Sequence, residues 1–206
     1  MSNSRKRLNP EQRKQQLLDA AIIVFARRGI GRAAHADIAE ETSVSVPTVF
    51  NYFKTREDLV DAVLTHVEDF FIETAKEFHH TEHALDDPLK TIMAHSFNFL
   101  KLANDNPNIV KIWLEWGASV RDDSWPRFME FQAKIIEIIA PTIQAGLDIG
   151  QMNSQLSAEE LGQILLGQSH PVTLCSFAPN QPISDMVRFV QLGMFALLGI
   201  DQNKQI

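Results

Sequence analysis

"HADIAEETSVSVPTVFNYFKTREDLV", residues 35–60, is the stretch of sequence that decides the fold. A short helical pattern over about 36–42 is broken at residues 43–45, and a second short helix follows with Pro47 in its first turn, where a missing N–H costs nothing. Thr55 then caps a longer helix that has two acidic residues in its first turn. Two short helices joined by a three-residue break form a helix-turn-helix unit.

Helical periodicity also extends over the rest of the chain. Asn9, Pro10 and Glu11 are a capping residue, a first-turn proline and an early acid, which predicts a helix that ends at Gly29. No segment alternates as strands do, so we expect an all-α fold of about nine helices. Beyond the helix-turn-helix, helices are predicted at about 56–80, 88–103, 107–118, 124–145, 158–177 and 183–198.

The composition argues against several classes of protein. A single cysteine, Cys175, excludes an internal disulfide and fits a reducing cytoplasm, where we expect the protein to act. Its apolar runs are interrupted well before the roughly 20 residues that a membrane span needs, and its first ten residues lack the apolar core of a secretory signal. No convergent nucleophile and base, phosphate loop or metal set is visible. We therefore expect no membrane association, catalytic residue or cofactor.

The charge is distributed unevenly along the chain. Residues 1–56 hold ten Lys or Arg against five Asp or Glu, whereas residues 57–206 hold nine against 21. This asymmetry indicates that the first quarter of the chain meets a polyanion.

The helix-turn-helix suits double-stranded DNA. Its second helix would enter the major groove, where hydroxyl and amide side chains can reach base edges. The start of the next helix and nearby Tyr and Lys side chains suit phosphates, and Arg5, Lys6 and Arg7 resemble an arm for the minor groove. His35 precedes the first short helix and is expected either to cap it or to touch a phosphate. The candidate DNA-binding residues are Arg5, Arg7, His35, Ser45, Pro47, Thr48, Asn51, Tyr52, Lys54 and Thr55, around a small core of Phe25, Ile38, Val49 and Phe53.

The segment "TVFNYFKTREDLV", residues 48–60, resembles the signature of TetR-type transcriptional regulators. More narrowly, residues 25–64 and "IWLEWGASVRDDSWPRF", residues 112–128, resemble the quorum-sensing master regulators of the LuxR/HapR/SmcR type. The resemblance implies a homodimer that binds pseudo-palindromic promoter sites and represses some genes while activating others. Pro47 stands where these regulators carry Ala, and Phe50 replaces the Tyr of the wider family, so a phosphate contact from that hydroxyl is absent.

The resemblance also implies two domains: a helix-turn-helix DNA-binding domain with its basic arm (1–56) and a helical ligand-binding and dimerisation domain (57–206). From the residues alone, the aromatic side chains of the second domain fit either a cavity for a small apolar ligand or a solid core. The ligand-binding candidates are Phe71, Phe97, Trp113, Trp116, Phe131, Gln132 and Ile135. The last two helices, with Gly162, Gly167 and Gly193 allowing close approach, are expected to form the dimer interface.

Other interpretations of the sequence remain open. Within the same class, the chain could be a repressor of a neighbouring efflux or catabolic operon that a small molecule releases from DNA. From another class, it could be an all-α enzyme or lipid carrier with a vestigial helix-turn-helix. His79, His80 and His83 include a pair spaced for a metal ion, but their polar surroundings favour a solvated helix end and no metal site.

Overall fold

The computed structural model describes residues 8–178 and 182–200. Within them the chain is helical, without strands. The helices are α1 (Pro10–Arg28), α2 (His35–Thr42), α3 (Val46–Phe50), α4 (Arg56–His79), α5 (Pro88–Asp105), α6 (Pro107–Ala118), α7 (Trp125–Asp148), α8 (Ala158–Ser176) and α9 (Ile183–Leu197). The all-α prediction is confirmed, with helix ends displaced by a few residues.

Side-chain caps determine where several helices begin. Asn9 accepts the backbone N–H of Gln12, and the Gln12 side chain accepts the N–H of Asn9, so both orphan donors are satisfied. Thr55 forms the same reciprocal pair with Asp58 at the start of α4. These caps lie at the positions that the sequence predicted.

The first three helices enclose their own small core. Phe25, Ile38 and Val49 are fully buried and Phe53 nearly so, as predicted. Helix α4 leaves this core and packs against α5 and α7, while α5, α7, α8 and α9 form the remaining bundle. One continuous set of buried apolar side chains joins the two parts. None of the described helices combines the length and apolarity needed to cross a membrane.

The C-terminal end of α9 is anchored to the loop between α7 and α8. The N–H of Asn153 donates to the carbonyl of Leu198 at 2.9 Å. The next residue, Gly199, has φ of +62°, and a Cβ atom there would lie 1.9 Å from the carbonyl oxygen of Asn153. This close approach holds α9 against the bundle and requires glycine.

We predict that Gly199→Ala lowers the free energy of unfolding by more than about 2 kcal/mol, because it combines left-handed backbone strain with a main-chain overlap. Gly150 is the matched control, since it has φ of +74° but open space around the Cβ position. Gly150→Ala should therefore cost only about 1 kcal/mol. Urea denaturation measures both, and equal losses would show that the approach to Asn153 does not constrain α9.

Candidate functional site

The turn between α2 and α3 is built from short side-chain and backbone bonds. Ser43 ends α2 in the left-handed region (φ 54°), and its N–H reaches the carbonyl of Glu40 at 3.2 Å. Ser45 caps α3: its hydroxyl accepts the N–H of Thr48 at 3.4 Å and lies 2.8 Å from the Thr48 hydroxyl. Only five residues form α3, with Val49 as the buried anchor. The turn and cap together fix the face that α3 presents outward.

That outward face carries most of the predicted DNA-binding side chains. Ser45, Pro47 and Asn51 are exposed, and Thr48 and Tyr52 are half-buried. Lys54 and Thr55, also exposed, follow in the connection to α4. The Thr55 hydroxyl is already engaged as an acceptor for the N–H of Asp58 at 3.0 Å. Thr55 therefore has a structural role at the start of α4, whereas the side-chain amide of Asn51 bonds no other described residue. Arg5 and Arg7 lie outside the described residues.

His35 is placed differently from the other candidates. It is the first residue of α2, and the cap position before it belongs to Ala34. Its ring is 5% exposed, donates from Nε2 to the carbonyl of Phe53 at 2.7 Å, and stacks on Phe50 with centroids 4.0 Å apart. The expected capping role is wrong, because the imidazole lies inside the protein and donates its hydrogen bond to the carbonyl of Phe53. His35 braces the turn after α3 from inside the domain.

Part of the positive charge in the first quarter is used within the protein. Arg27 pairs with Glu41 at 2.9 Å and Arg28 with Asp37 at 3.1 Å, which ties α1 to α2. Arg56 donates to the carbonyl of Ile30. The charge asymmetry of the sequence therefore overstates the number of cations that face outward near α3.

The main-chain N–H and carbonyl of Ile30 link the helix-turn-helix to the rest of the protein. The N–H donates to Oε1 of Glu115 on α6 at 2.9 Å, and the carbonyl accepts from Arg56 at the start of α4. Gly29, with φ of +89°, makes the approach feasible, since a Cβ atom there would lie 2.9 Å from the same carboxylate oxygen. We call this arrangement of Glu115, Ile30 and Arg56 the Ile30 clamp.

Two internal cavities lie among the later helices. The Trp cavity, about 20 Å³, is lined by five predicted ligand-binding residues together with His95, Phe99 and Leu166. The His cavity, about 60 Å³, lies between α4, α5, α7, α8 and α9, and shares those three residues as a common wall. A volume of 20 Å³ accommodates about one water molecule, so the surrounding side chains nearly fill the Trp cavity. The predicted residues in its wall are Phe71, Trp113, Phe131, Gln132 and Ile135.

The other two ligand-binding candidates line neither cavity. Trp116 is fully buried, stacks on Phe131 with centroids 5.8 Å apart, and donates from Nε1 to the carbonyl of Ser124 at 3.1 Å. Phe97 is half-buried and packs on the core. Trp116 and Phe97 therefore belong to the solid part of the bundle. Trp116 differs from Trp113, three residues earlier on α6, in the side chains that surround it.

A buried pair of histidines was missed by sequence reasoning. His79 Nδ1 lies 2.9 Å from the Thr142 hydroxyl, and His79 Nε2 lies 2.9 Å from His95 Nδ1. The predicted solvated position is wrong for His79, which α5 and α7 cover, but right for the exposed His80 and His83. Among the described residues no group of three or more His, Cys, Asp or Glu side chains could hold a metal ion.

Burial controls the protonation of these two rings. It lowers the pKa of His79 to about 4 and that of His95 to about 3, and the nearby rings of His80 and His79, respectively, add a smaller lowering of the same sign. Both imidazoles are therefore neutral at pH 7. No spacing in the sequence could have paired them, because they lie 16 residues apart on two helices whose packing is set by tertiary contacts.

The last two helices expose an unusual amount of apolar surface. Gly162, expected at a dimer interface, faces the inside of the chain, because a Cβ atom there would lie 3.5 Å from Ile136 and Ile139 on α7; a Cβ atom at Gly193 would lie 3.5 Å from Gln168 on α8. Gly167 faces open space. We call the exposed set the α8/α9 face; it comprises Ile164, Leu174, Phe177, Val187, Phe189 and Leu192.

Comparison with known proteins gives a consistent result. Residues 17–63 match the family described as bacterial regulatory proteins, tetR family. The chain is 41% identical over 164 residues to the HTH-type transcriptional regulator LuxR of Vibrio harveyi, which covers 79% of this chain and 78% of LuxR. A TetR-like transcriptional regulator from a Rhodococcus species shares the fold with a TM-score of 0.74 at 18% identity, covering 94% of this chain and all of that one. FadR from Bacillus subtilis, solved with stearoyl-CoA, gives a TM-score of 0.69 at 22% identity, covering 91% and 99%.

We predict that stability falls as the pH is lowered from 6.5 toward 4. The unfolded chain binds protons at these histidines near pH 6.5, whereas the folded chain does so only near pH 4 and 3. Relative to pH 7, each ring therefore lowers the free energy of unfolding by about 2 kcal/mol at pH 5. Urea denaturation at pH 7 and pH 5 measures the loss.

The double variant His79→Leu, His95→Leu should have a flatter profile, and the exposed-site control His83→Leu should keep the wild-type profile. An unchanged pH dependence in the double variant would contradict the assignment of this loss to the buried pair.

Proposed function

The chain belongs to the TetR family of bacterial regulatory proteins, and we propose that it acts as a quorum-sensing master regulator that binds pseudo-palindromic promoter sites as a homodimer. It is a DNA-binding transcriptional regulator and not an enzyme. The identity with LuxR extends over 164 residues and so well beyond the helix-turn-helix, which supports a shared mode of action in the cytoplasm. Repression at some promoters and activation at others belong to the same proposal.

The exposed row of short polar side chains on α3 carries the proposal. Asn51 offers an amide that can bond an adenine edge in two places, and the Ser45 and Thr48 hydroxyls, bonded to each other at 2.8 Å, keep one proton between them for an acceptor edge. Lys54 and the start of α4 then supply phosphate contacts that set the register. The outward direction of the row depends on the Ser45 cap and on His35 behind Phe50.

The homodimer is supported by the α8/α9 face. Several large apolar side chains exposed on two neighbouring helices are typical of a surface that another molecule covers. Phe189 and Leu174, each 58% exposed, are the largest contributors to that surface. Two copies of these helices across a two-fold axis would bury the face in a four-helix interface and present two α3 helices to one duplex.

The division of the chain at residues 56 and 57 is part of the proposal. The cap of α4 falls at Thr55, so the division coincides with the start of that helix. Residues 57–206 would then dimerise and hold a small apolar ligand in the Trp and His cavities. A repressor released from DNA by such a ligand is the second candidate function, and the two cavities favour it. It differs from the first in that ligand abolishes DNA binding.

We predict that Asn51→Ala weakens binding to a duplex selected by the wild-type protein by about 1–3 kcal/mol, because one base contact is lost. Binding to a random duplex should change much less. Titration with labelled duplexes measures both affinities, and Gln155→Ala, a truncation of an exposed amide in the α7–α8 loop, is the control. Equal losses on both duplexes would remove Asn51 from base reading.

We predict that Phe189→Lys combined with Leu174→Lys converts the protein to a monomer, because four charges would be placed in one apolar interface. Sedimentation equilibrium should give twice the chain mass for the wild type and the chain mass for the variant. Leu85→Lys is the control, since Leu85 is equally exposed (56%) but lies away from α8 and α9. A variant that stays dimeric would place the interface elsewhere.

A further inference from the structure

We propose that His95 holds the polar group of the ligand: a small, uncharged, mostly apolar molecule whose hydrogen-bond acceptor, such as a ketone oxygen, takes the Nε2–H of His95. The proposal rests on the proposed ligand-binding role of the two cavities and names the chemistry that they select. It depends on a chain of hydrogen bonds that runs from Thr142 through His79 to His95.

The direction of that chain follows from Thr142. Its side chain is 1% exposed, and its only described hydrogen-bond partner is His79 Nδ1. A buried hydroxyl must give its proton to some acceptor, so Thr142 donates to Nδ1. His79, neutral at pH 7, then carries its own proton on Nε2 and donates it to Nδ1 of His95. His95, also neutral, is left with its proton on Nε2.

The Nε2–H of His95 is positioned to meet a ligand. The ring is 9% exposed and forms part of the wall of both cavities, and Nε2 has no hydrogen-bond partner among the described residues. Phe78 stacks on the ring with centroids 5.1 Å apart and Phe99 lies tilted beside it at 5.7 Å, which together fix its orientation. The remaining wall is mostly apolar, although the amides of Gln132 and Gln168 also line the two cavities, so an unmet hydrogen bond at Nε2 is costly.

The walls of the cavities determine the rest of the ligand class. No Asp, Glu, Lys or Arg is among the lining residues of either cavity in the described part of the chain. A charged head group would lose its hydration without an opposite charge in return, so an uncharged acceptor is preferred. The His cavity, at about 60 Å³, favours a compact molecule.

The test compares cyclopentanone with its hydrocarbon counterpart methylenecyclopentane, which has the same shape and no acceptor. Binding is followed by the NMR shifts of the methyl groups of Ile92, Ile139 and Ile143, all in the wall of the His cavity. The wild type should bind the ketone about fivefold to tenfold more tightly, the effect of one net hydrogen bond. In addition, the imidazole ¹⁵N spectrum should place the proton of His95 on Nε2.

Thr142→Val should abolish most of the preference for the ketone, because the hydroxyl proton that fixes the tautomers of His79 and His95 is lost. Thr173→Val is the matched control: Thr173 is equally buried (1% exposed), but its hydroxyl bonds the carbonyl of Ser169 within α8. Equal affinity of the wild type for the two probes, or a His95 proton on Nδ1, would overturn the assignment to His95 and leave the ligand-binding role standing. Failure of both probes to bind would overturn the ligand-binding role as well.

Discussion

The main-chain N–H and carbonyl of Ile30 link the helix-turn-helix to two helices that follow it in the bundle, α4 and α6. Glu115 accepts a hydrogen bond from the N–H of Ile30, and Arg56 donates one to its carbonyl, so one short loop is held simultaneously by α6 and by the start of α4. Neither partner could be replaced by water without freeing the loop, since Ile30 itself is 5% exposed. The direction in which α3 points relative to the α8/α9 face therefore depends on this clamp together with the packing of α1 against α6 and α4.

Helix α6 relates the clamp to the cavities. Trp113 on α6 lines the Trp cavity, and two residues later Glu115 holds Ile30. A shift of α6 therefore moves the acceptor of the Ile30 N–H. Helix α4 is held separately: Arg127 at the start of α7 bonds Asp61 at 2.6 Å and Glu68 at 2.8 Å, and these bonds raise the pKa of Arg127 above its ordinary value.

The sequence was sufficient for features that depend on near neighbours in the chain. Caps at Asn9 and Thr55, the turn before Ser45 and the small core around Phe25 follow from local chemistry and periodicity. The sequence was insufficient where segments far apart in the chain come into contact. His35 bonds a carbonyl 18 residues away, and His79 bonds Thr142, which lies 63 residues further along the chain. Five of the seven ligand-binding candidates line one cavity, yet nothing local could tell that Trp116 fills the core while Trp113 lines space.

In the proposed homodimer, two copies of α3, held at one separation by the Ile30 clamp and the α8/α9 face, read one duplex. The most direct measurement is selection of bound sequences by the purified protein from a pool of random duplexes. We expect an enriched pseudo-palindrome whose half-sites have a single spacing, close to one helical turn of about 34–36 Å or a multiple of it. Half-sites enriched at variable spacing, or no enriched sequence, would contradict the proposal.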